Sequence, residues 1–171
     1  MRYPRKHVYK IEPGDGRSEP MPPFGGIRFM LSSEETGGHL SIVEHPVEPK
    51  GASMRHTHSK EDEYTFVLEG RIGFQIGDEE FTADPGTLVL KPRGIPHAFW
   101  NTTDAPGKVL EIISPGGLEG FFEEMVALRG EGAAPTPERL APIWDRYGIT
   151  ADPESSRELA ARHGLKMPIP Q

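Results

Sequence analysis

Three histidines and one glutamate in this 171-residue sequence have the types and the spacing of a metal ligand set. His56 and His58 are separated by one residue, and Glu63 follows five residues after His58. Side chains alternate in direction along a strand, so His56 and His58 would point to the same face. His97 stands further along the chain, after a turn rich in Pro and Gly. Because three imidazoles and a carboxylate commonly bind a divalent transition metal, the sequence predicts a metal centre if the fold brings His97 to the others.

The acidic residues after the second histidine offer more than one possible carboxylate. Glu61, Asp62 and Glu63 are consecutive in the sequence. We expect Glu61 and Asp62 to be solvated charges of a turn. Asp62 is an alternative ligand, but on the strand that begins here it faces the opposite side from Glu63. We therefore assign the carboxylate ligand to Glu63.

Short extended segments between turns make up the region that must position these ligands. Gly and Pro separate the segments, and Gly77-Asp78 has the form of a two-residue hairpin turn. The strand candidates are 27–31, 40–45, 54–58, 63–68, 71–76, 79–82, 87–91, 97–101 and 109–113. Many short strands with closely spaced turns indicate an all-β sandwich or closed barrel.

The two ends of the chain differ in composition from this central β region. Residues 1–26 are rich in Pro, Gly and charge, and we expect an N-terminal arm there. Residues 27–114 hold the strands. From residue 115 onwards, apolar residues recur at intervals of three and four, and Thr136 and Asp152 are candidate helix N-caps. We therefore expect residues 115–171 to form a short helical extension that packs on the β domain.

Charge and composition exclude several classes of function. The net charge is -7 and no basic face is evident, which argues against a nucleic-acid partner. The chain has no cysteine, so thiolate catalysis and cysteine-ligated metals are excluded. No apolar run approaches the ~20 residues that cross a bilayer. We expect a cytoplasmic protein with a small-molecule substrate and no membrane contact.

Two stretches of the sequence resemble the two motifs of the cupin family. The first motif reads His56-Thr57-His58, four residues, Glu63, six residues and Gly70. The second reads Gly86, five residues, Pro92-Arg93-Gly94, two residues, His97, three residues and Asn101. One departure is Gly51, which precedes His56 by four residues where the usual pattern has five. This glycine is not a ligand, and the resemblance covers about residues 27–114.

The cupin resemblance implies a fold and a ligand set. The fold would be a double-stranded β-helix, a jelly-roll barrel of antiparallel strands with a metal at its wider mouth. Carried over by position, the ligands would be His56, His58, Glu63 and His97. The metal would be Fe, Mn, Ni, Co or Zn, and the sequence does not choose among them. Residues 114–122 and 147–149 also resemble a quercetin-dioxygenase-like subgroup of bacterial cupins.

Three functions are compatible with such a site. Three histidines and one glutamate leave coordination positions open, which dioxygen or a chelating substrate requires. The first hypothesis is a metal-dependent dioxygenase that acts on a small flavonol-, catechol- or enol-like compound, with Glu63 as ligand and catalytic base. The second is an isomerase or cyclase that uses the metal as a Lewis acid. The third is a barrel that binds a small molecule without turnover, because one fold hosts unrelated functions.

Strand phase also selects candidates for the substrate pocket. Thr65 and Val67 are in phase with Glu63, and Phe99 is in phase with His97. Phe74 is a further aromatic candidate on a neighbouring strand. We expect these four residues to line the pocket, with packing in the barrel core as the alternative.

The remaining histidines and one arginine carry no motif. We expect His39 and His45 to be surface or hydrogen-bonded residues, and His7 and His163 to lie at the surface. Arg93 is expected to be a surface charge. The arm and the apolar helix around residues 121–122 are candidate contacts of a homodimer, which we expect for a barrel of this size.

Overall fold

Alternation of buried and exposed side chains along the strands defines the inside of a barrel. Strand β5 (Asp62–Glu69) buries Glu63, Thr65 and Val67 and turns the residues between them outward. Strand β10 (Gly107–Ser114) has the same alternation over its whole length. The inward positions of both strands carry polar as well as apolar residues, so part of the barrel interior is polar.

The computed structural model describes residues 10–130 and 136–167, and this part of the chain contains eleven strands and four helices. The other strands are β1 Arg17–Met21, β2 Gly25–Leu31, β3 Ser41–Val47, β4 His56–His58, β6 Ile72–Ile76, β7 Glu79–Ala83, β8 Leu88–Lys91, β9 His97–Asn101 and β11 Ile149–Ala151. The helices are α1 Ser33–Thr36, α2 Glu119–Gly130, α3 Pro137–Tyr147 and α4 Pro153–His163.

Two antiparallel sheets face each other. The first has the strand order β1-β2-β3-β10-β5-β8, and the second has the order β11-β4-β9-β6-β7. Strands that are neighbours in space are mostly distant in sequence, as in a jelly roll. The all-β double-stranded β-helix predicted from the sequence is confirmed, with short helices near the C-terminal end.

Three elements differ from the sequence-based expectations. Residues 17–21 of the expected arm form β1, which pairs with β2 over its full length. Residues 33–36 form a helical turn, because Ser32 and Glu35 make a reciprocal capping box. Residues 149–151 of the expected helical extension form β11, which pairs with the histidine strand β4. The pairing partner of β11 lies far away in the chain, which local sequence does not reveal, whereas β1 forms a hairpin with the adjacent strand β2.

Helices α2 and α3 pack on the barrel beside β1 and β3. Helix α2 contacts both strands and α3. The two helices bury a shared apolar cluster of Met125, Leu128, Leu140 and Ile143. Within the described residues, no helix is long and apolar enough to cross a membrane.

The barrel core leaves little room at one position in β6. A Cβ atom on Gly73 would lie 2.3 Å from Cε2 of the buried Trp100 in β9. The two strands are direct neighbours, with Gly73 opposite Trp100. Glycine is therefore required here because the indole occupies the space that a side chain would need.

Candidate metal centre

Strands β4, β9 and β5 bring the four predicted ligands together. His56 in β4 lies directly opposite His97 in β9. The Nε2 atoms of His56 and His58 are 3.0 Å apart, and Nε2 of His97 is 3.1 Å from Oε2 of Glu63. One ligand atom from each of the four residues can be chosen so that all lie within 4.8 Å of one another. This cluster could hold a single metal ion.

The Pro/Gly-rich turn before β9 positions His97. Gly94 adopts a φ of 77°, and its backbone N–H donates to the carbonyl oxygen of His58 over 2.7 Å. A non-glycine residue rarely adopts this backbone conformation. The hydrogen bond ties the turn to the histidine strand, so that the strand following it presents His97 to the other ligands.

Backbone carbonyls determine which ring nitrogen of two histidines carries the hydrogen. Nδ1 of His56 lies 2.6 Å from the carbonyl oxygen of Met54, and Nδ1 of His97 lies 3.0 Å from that of Ile95. Because a carbonyl only accepts, both Nδ1 atoms must donate. The Nε2 atoms therefore present lone pairs to the centre of the cluster, which is the arrangement that metal-binding histidines adopt.

The buried Nε2 atom of His97 supports a cation in this position. It has no hydrogen-bond partner, although it lies 3.1 Å from the carboxylate of Glu63. A lone pair and a carboxylate oxygen repel each other at this distance unless a positive species lies near both. The donor set and this orphaned atom thus fit a divalent transition metal bound by His56, His58, Glu63 and His97.

The charge state of the cluster also suits metal binding. Burial lowers the pKa of His56 and of His97, which keeps both imidazoles neutral. Burial alone raises the pKa of Glu63, but the charge of Lys91, whose Nζ is 2.8 Å away, opposes it, and that pKa is held well below its usual value. Neutral imidazoles and an ionised carboxylate are the protonation states that bind a metal.

A buried lysine supports the glutamate ligand and was missed at the sequence level. Nζ of Lys91 is 2.8 Å from Oε2 of Glu63 and 3.0 Å from Oε1 of Glu111. Thr65 donates to the same Glu111 carboxylate over 3.0 Å. Burial raises the pKa of Glu111 to about 7, and Lys91 opposes this rise. Strand alternation could have indicated that Lys91 points inward, because it is in phase with the buried Val89.

The acidic residues beside the histidines have different surroundings and different roles. Glu61 is 4% exposed, and its Oε1 lies 3.4 Å from Nδ1 of His58, so it is not the solvated charge that we expected. Asp62 instead faces outward and pairs with Arg93 at 2.9 Å. Arg93 lowers the pKa of Asp62 to about 2. Asp62 is therefore outside the ligand cluster, and the carboxylate in it is that of Glu63.

A cavity of about 600 Å³ opens from the metal centre toward the helical extension. His56, His58 and Glu63 lie on its surface, as do Lys91 and Glu111. The residues that form its apolar walls are Met21, Phe24, Phe121, Phe122, Met125 and Trp144. Most of these walls belong to the β1–β2 turn and to α2 and α3, so the expected arm and the extension complete the site.

Of the four residues predicted for the pocket, Phe99 lines this cavity and the other three do not. Thr65 is fully buried and bonded to Glu111, while Val67 and Phe74 pack in the main hydrophobic cluster of the barrel. Strand alternation correctly predicted that these three side chains point into the barrel. They are packed against other side chains there and do not reach the cavity. Phase alone does not distinguish a packed interior from an open one.

His45 is a further cavity residue, and it is hydrogen-bonded, which is one of the two alternatives expected from the sequence. It is 3% exposed, and its Nδ1 donates to the carbonyl oxygen of Gly26 over 3.0 Å. Its ring packs against Phe24 and Phe122. The alternation of β3, in which His45 is in phase with the buried Val43, would have indicated an inward position.

The two other described histidines, His39 and His163, lie away from the cluster. His39 is exposed, as expected. His163 is half-buried, with its ring 4.9 Å from that of Trp100 and its Nε2 2.8 Å from Glu80. His7 lies outside the described residues.

Comparison with known proteins supports the same fold. Residues 44–113 match the family model described as a Cupin domain. The chain is 26% identical over 92 residues to the tetracenomycin polyketide synthase protein TcmJ of Streptomyces glaucescens. That match covers 53% of this chain and 62% of TcmJ, so it spans less than two thirds of the relative.

Two solved structures have the same fold at low sequence identity. The polyketide cyclase RemF of Streptomyces resistomycificus is 22% identical, with a TM-score of 0.55 over 63% of this chain and 80% of RemF. A predicted oxalate decarboxylase of Thermotoga maritima is 18% identical, with a TM-score of 0.58 over 63% of this chain and 99% of its own. The two motifs, the jelly-roll topology and the family match together identify residues 44–113 as a Cupin domain.

Proposed function

We propose that this protein is a metal-dependent enzyme that acts on a small, mostly apolar compound carrying a hydroxyl or enol oxygen. The observation that carries the proposal is the position of the candidate ligands, three of which line a cavity with apolar walls. A metal there would supply a Lewis acid with open coordination positions for a substrate oxygen. Ligand pockets of this volume accept small organic molecules.

The chain's own residues have distinct tasks in this proposal. His56, His58, Glu63 and His97 hold the metal. Lys91, 2.8 Å from Glu63, keeps that carboxylate ionised and oriented. Glu63 also accepts the proton of the substrate hydroxyl, as a base must lie within hydrogen-bond reach of the proton it removes.

The walls of the cavity indicate the body of the substrate. Phe99 and Phe122 present aromatic surface to the cavity, and Met125 and Trp144 add further apolar surface. Flat aromatic compounds bury large areas against such side chains. The likeness to a polyketide synthase protein agrees with an aromatic or polyketide-like substrate.

Two reactions use these parts differently. A dioxygenase acting on a flavonol-, catechol- or enol-like compound is the first. A Lewis-acid isomerase or cyclase is the second, and one specific feature favours it. Lys91 and Glu111 line the cavity within 3.0 Å of each other and offer a proton donor and acceptor beside the ligands. Such groups serve proton transfers that need no oxidant.

Metal analysis of freshly purified protein, followed by oxygen-uptake measurements with flavonols and catechols, tests the proposal. Iron, nickel or manganese with oxygen consumption supports the dioxygenase. Zinc without oxygen consumption supports the isomerase or cyclase.

His58→Ala should lose the metal, whereas His39→Ala, at an exposed histidine outside the cluster, should keep it. Protein purified without chelators that holds no metal, together with unchanged ligand binding by His58→Ala, would contradict both reactions and leave a binding protein without turnover.

We also propose a homodimer, as expected for a barrel of this size. Phe121 and Phe122 are partly buried and line the cavity, so they serve the site within one chain. Light scattering measures the assembly directly, and a monomeric mass would contradict the homodimer.

A further inference from the structure

Arg129 is a cavity residue whose charge has no counter-charge among the described residues. It lies in the last turn of α2 and lines the same cavity as the metal centre. Its Nη1 donates to the carbonyl oxygen of Pro22 over 2.6 Å. Its Nε is buried without a hydrogen-bond partner. Among residues 10–130 and 136–167, no carboxylate forms an ion pair with Arg129.

Other arginines of the described chain are paired. Arg28 lies 2.9 Å from Glu44, and Arg55 lies 3.1 Å from Asp152. Arg129, in contrast, lies among apolar side chains, and burial lowers its pKa. A half-buried guanidinium whose Nε is buried without a partner is unfavourable when no anion is near it, so its retention in a cavity points to an anion that arrives with the ligand.

Helix α2 places this charge about two turns away from Phe122, which packs on His45. Phe122 packs its ring 5.2 Å from that of His45, a residue whose pKa responds to the charges of Lys91 and Glu63. Arg129 follows Phe122 by seven residues, which is about 10 Å along a helix at ~1.5 Å per residue. Met125 lies between them on the same side and also lines the cavity.

The free donors of Arg129 suit a planar anion. Of its nitrogen atoms, only Nη1 has a hydrogen-bond partner among the described residues. The Nε and Nη2 groups form one edge of the guanidinium, and that edge matches the two oxygens of a carboxylate.

We propose that Arg129 is a specificity-determining residue that binds a carboxylate at the end of the substrate remote from the metal centre. The substrate class is then an aromatic or polyketide-like acid, with a hydroxyl or enol oxygen at one end and a carboxylate at the other. Only the orientation of this ligand rests on the proposed function, because the contact between Arg129 and the anion needs no metal.

Binding of two probes that differ only in charge tests this assignment. The probes are 6-hydroxy-2-naphthoate and its neutral carboxamide, in which the hydroxyl lies at the opposite end from the acid or amide. Trp144 lines the cavity, so tryptophan fluorescence reports binding with metal and after treatment with chelator. The wild-type protein should bind the acid about tenfold more tightly than the amide or better.

Arg129→Gln should reduce this preference to within about twofold while leaving the affinity for the amide unchanged. Arg129→Lys should retain part of the preference, and Arg71→Gln, at an exposed arginine outside the cavity, should retain all of it. An arginine that only ties α2 to Pro22 would change the affinity for both probes equally.

Three results would overturn the assignment: equal binding of acid and amide by the wild type, a preserved preference in Arg129→Gln, or no binding of either probe at millimolar concentration. A failure of the proposed function gives a different result from a failure of this assignment. If only the proposed function fails, the protein binds no metal, but chelator-treated protein still prefers the acid to the amide.

Discussion

Replacing His45 with Gln should make the stability of this protein less sensitive to acid. Burial lowers the pKa of His45 from 6.5 to about 4, against the hydrogen bond to Gly26, which raises it. Of the charges that face His45, Lys91 lowers the pKa further, while Glu63 and Glu44 raise it. The folded protein therefore keeps this imidazole neutral over a range of pH in which the unfolded chain binds a proton.

The sign and size of the effect follow from that difference. The contribution of His45 to the free energy of unfolding is complete above about pH 6.5 and decreases as the pH falls to about 4. Below about pH 4 it changes no further, because both states then bind the proton. The gap between 6.5 and about 4, at ~1.4 kcal/mol per pH unit, corresponds to a loss of about 3 kcal/mol.

Urea unfolding at about pH 7 and about pH 4, in the presence of a chelator, measures this loss. The wild-type free energy of unfolding should fall by about 3 kcal/mol more than that of His45→Gln, in which the amide can still donate to Gly26. His39→Gln, at an exposed histidine, controls for the removal of any one histidine. The same pH dependence in the wild type and His45→Gln, within about 0.5 kcal/mol, would refute the reasoning.

Two further substitutions test the interior of the barrel. Lys91→Met leaves Glu63 and Glu111 buried without their shared cation, and should lower the free energy of unfolding of the chelator-treated protein by about 3–5 kcal/mol in urea. Gly73→Ala places a Cβ 2.3 Å from the ring of Trp100, and should lower the melting temperature through a loss of about 1–3 kcal/mol.

Each of these has a matched comparison. Adding Glu111→Gln to Lys91→Met removes one of the two unpaired charges and should recover part of the lost stability. A Lys91→Met protein as stable as the wild type would show that Lys91 does not form buried ion pairs with Glu63 and Glu111 in solution. Gly130→Ala is the control for Gly73→Ala, since a Cβ at Gly130 meets nothing within 4 Å. Equal effects of the two alanine substitutions would contradict the close packing against Trp100.

The sequence predicted the cluster of the four candidate ligands well because their arrangement is mostly local. His56 and His58 share a face through strand alternation alone, and Glu63 begins the next strand after a short turn. Gly94 could also be recognised as part of a turn that directs His97. These relationships depend on backbone geometry over a few residues, which residue type and spacing determine.

The predictions were less accurate where they depended on which side chains fill the interior. Thr65, Val67 and Phe74 point inward as predicted, but they pack in the core and not around the cavity. Glu61 was expected in solvent and lies buried beside His58. In each case the side-chain direction follows from the sequence, whereas the depth and the neighbours depend on strands that pair from distant parts of the chain.

The sequence by itself thus determined the presence of a cupin domain, the jelly-roll class and the four candidate ligands, because motif spacing and strand alternation are local properties. Only the tertiary structure decided what surrounds those ligands. The β1–β2 turn and helices α2 and α3 close an apolar cavity over them, and packing brings Lys91 and Arg129 to it from elements far apart in sequence. Such contacts arise from the burial of amphipathic faces against each other, and no single segment contains the information that specifies them.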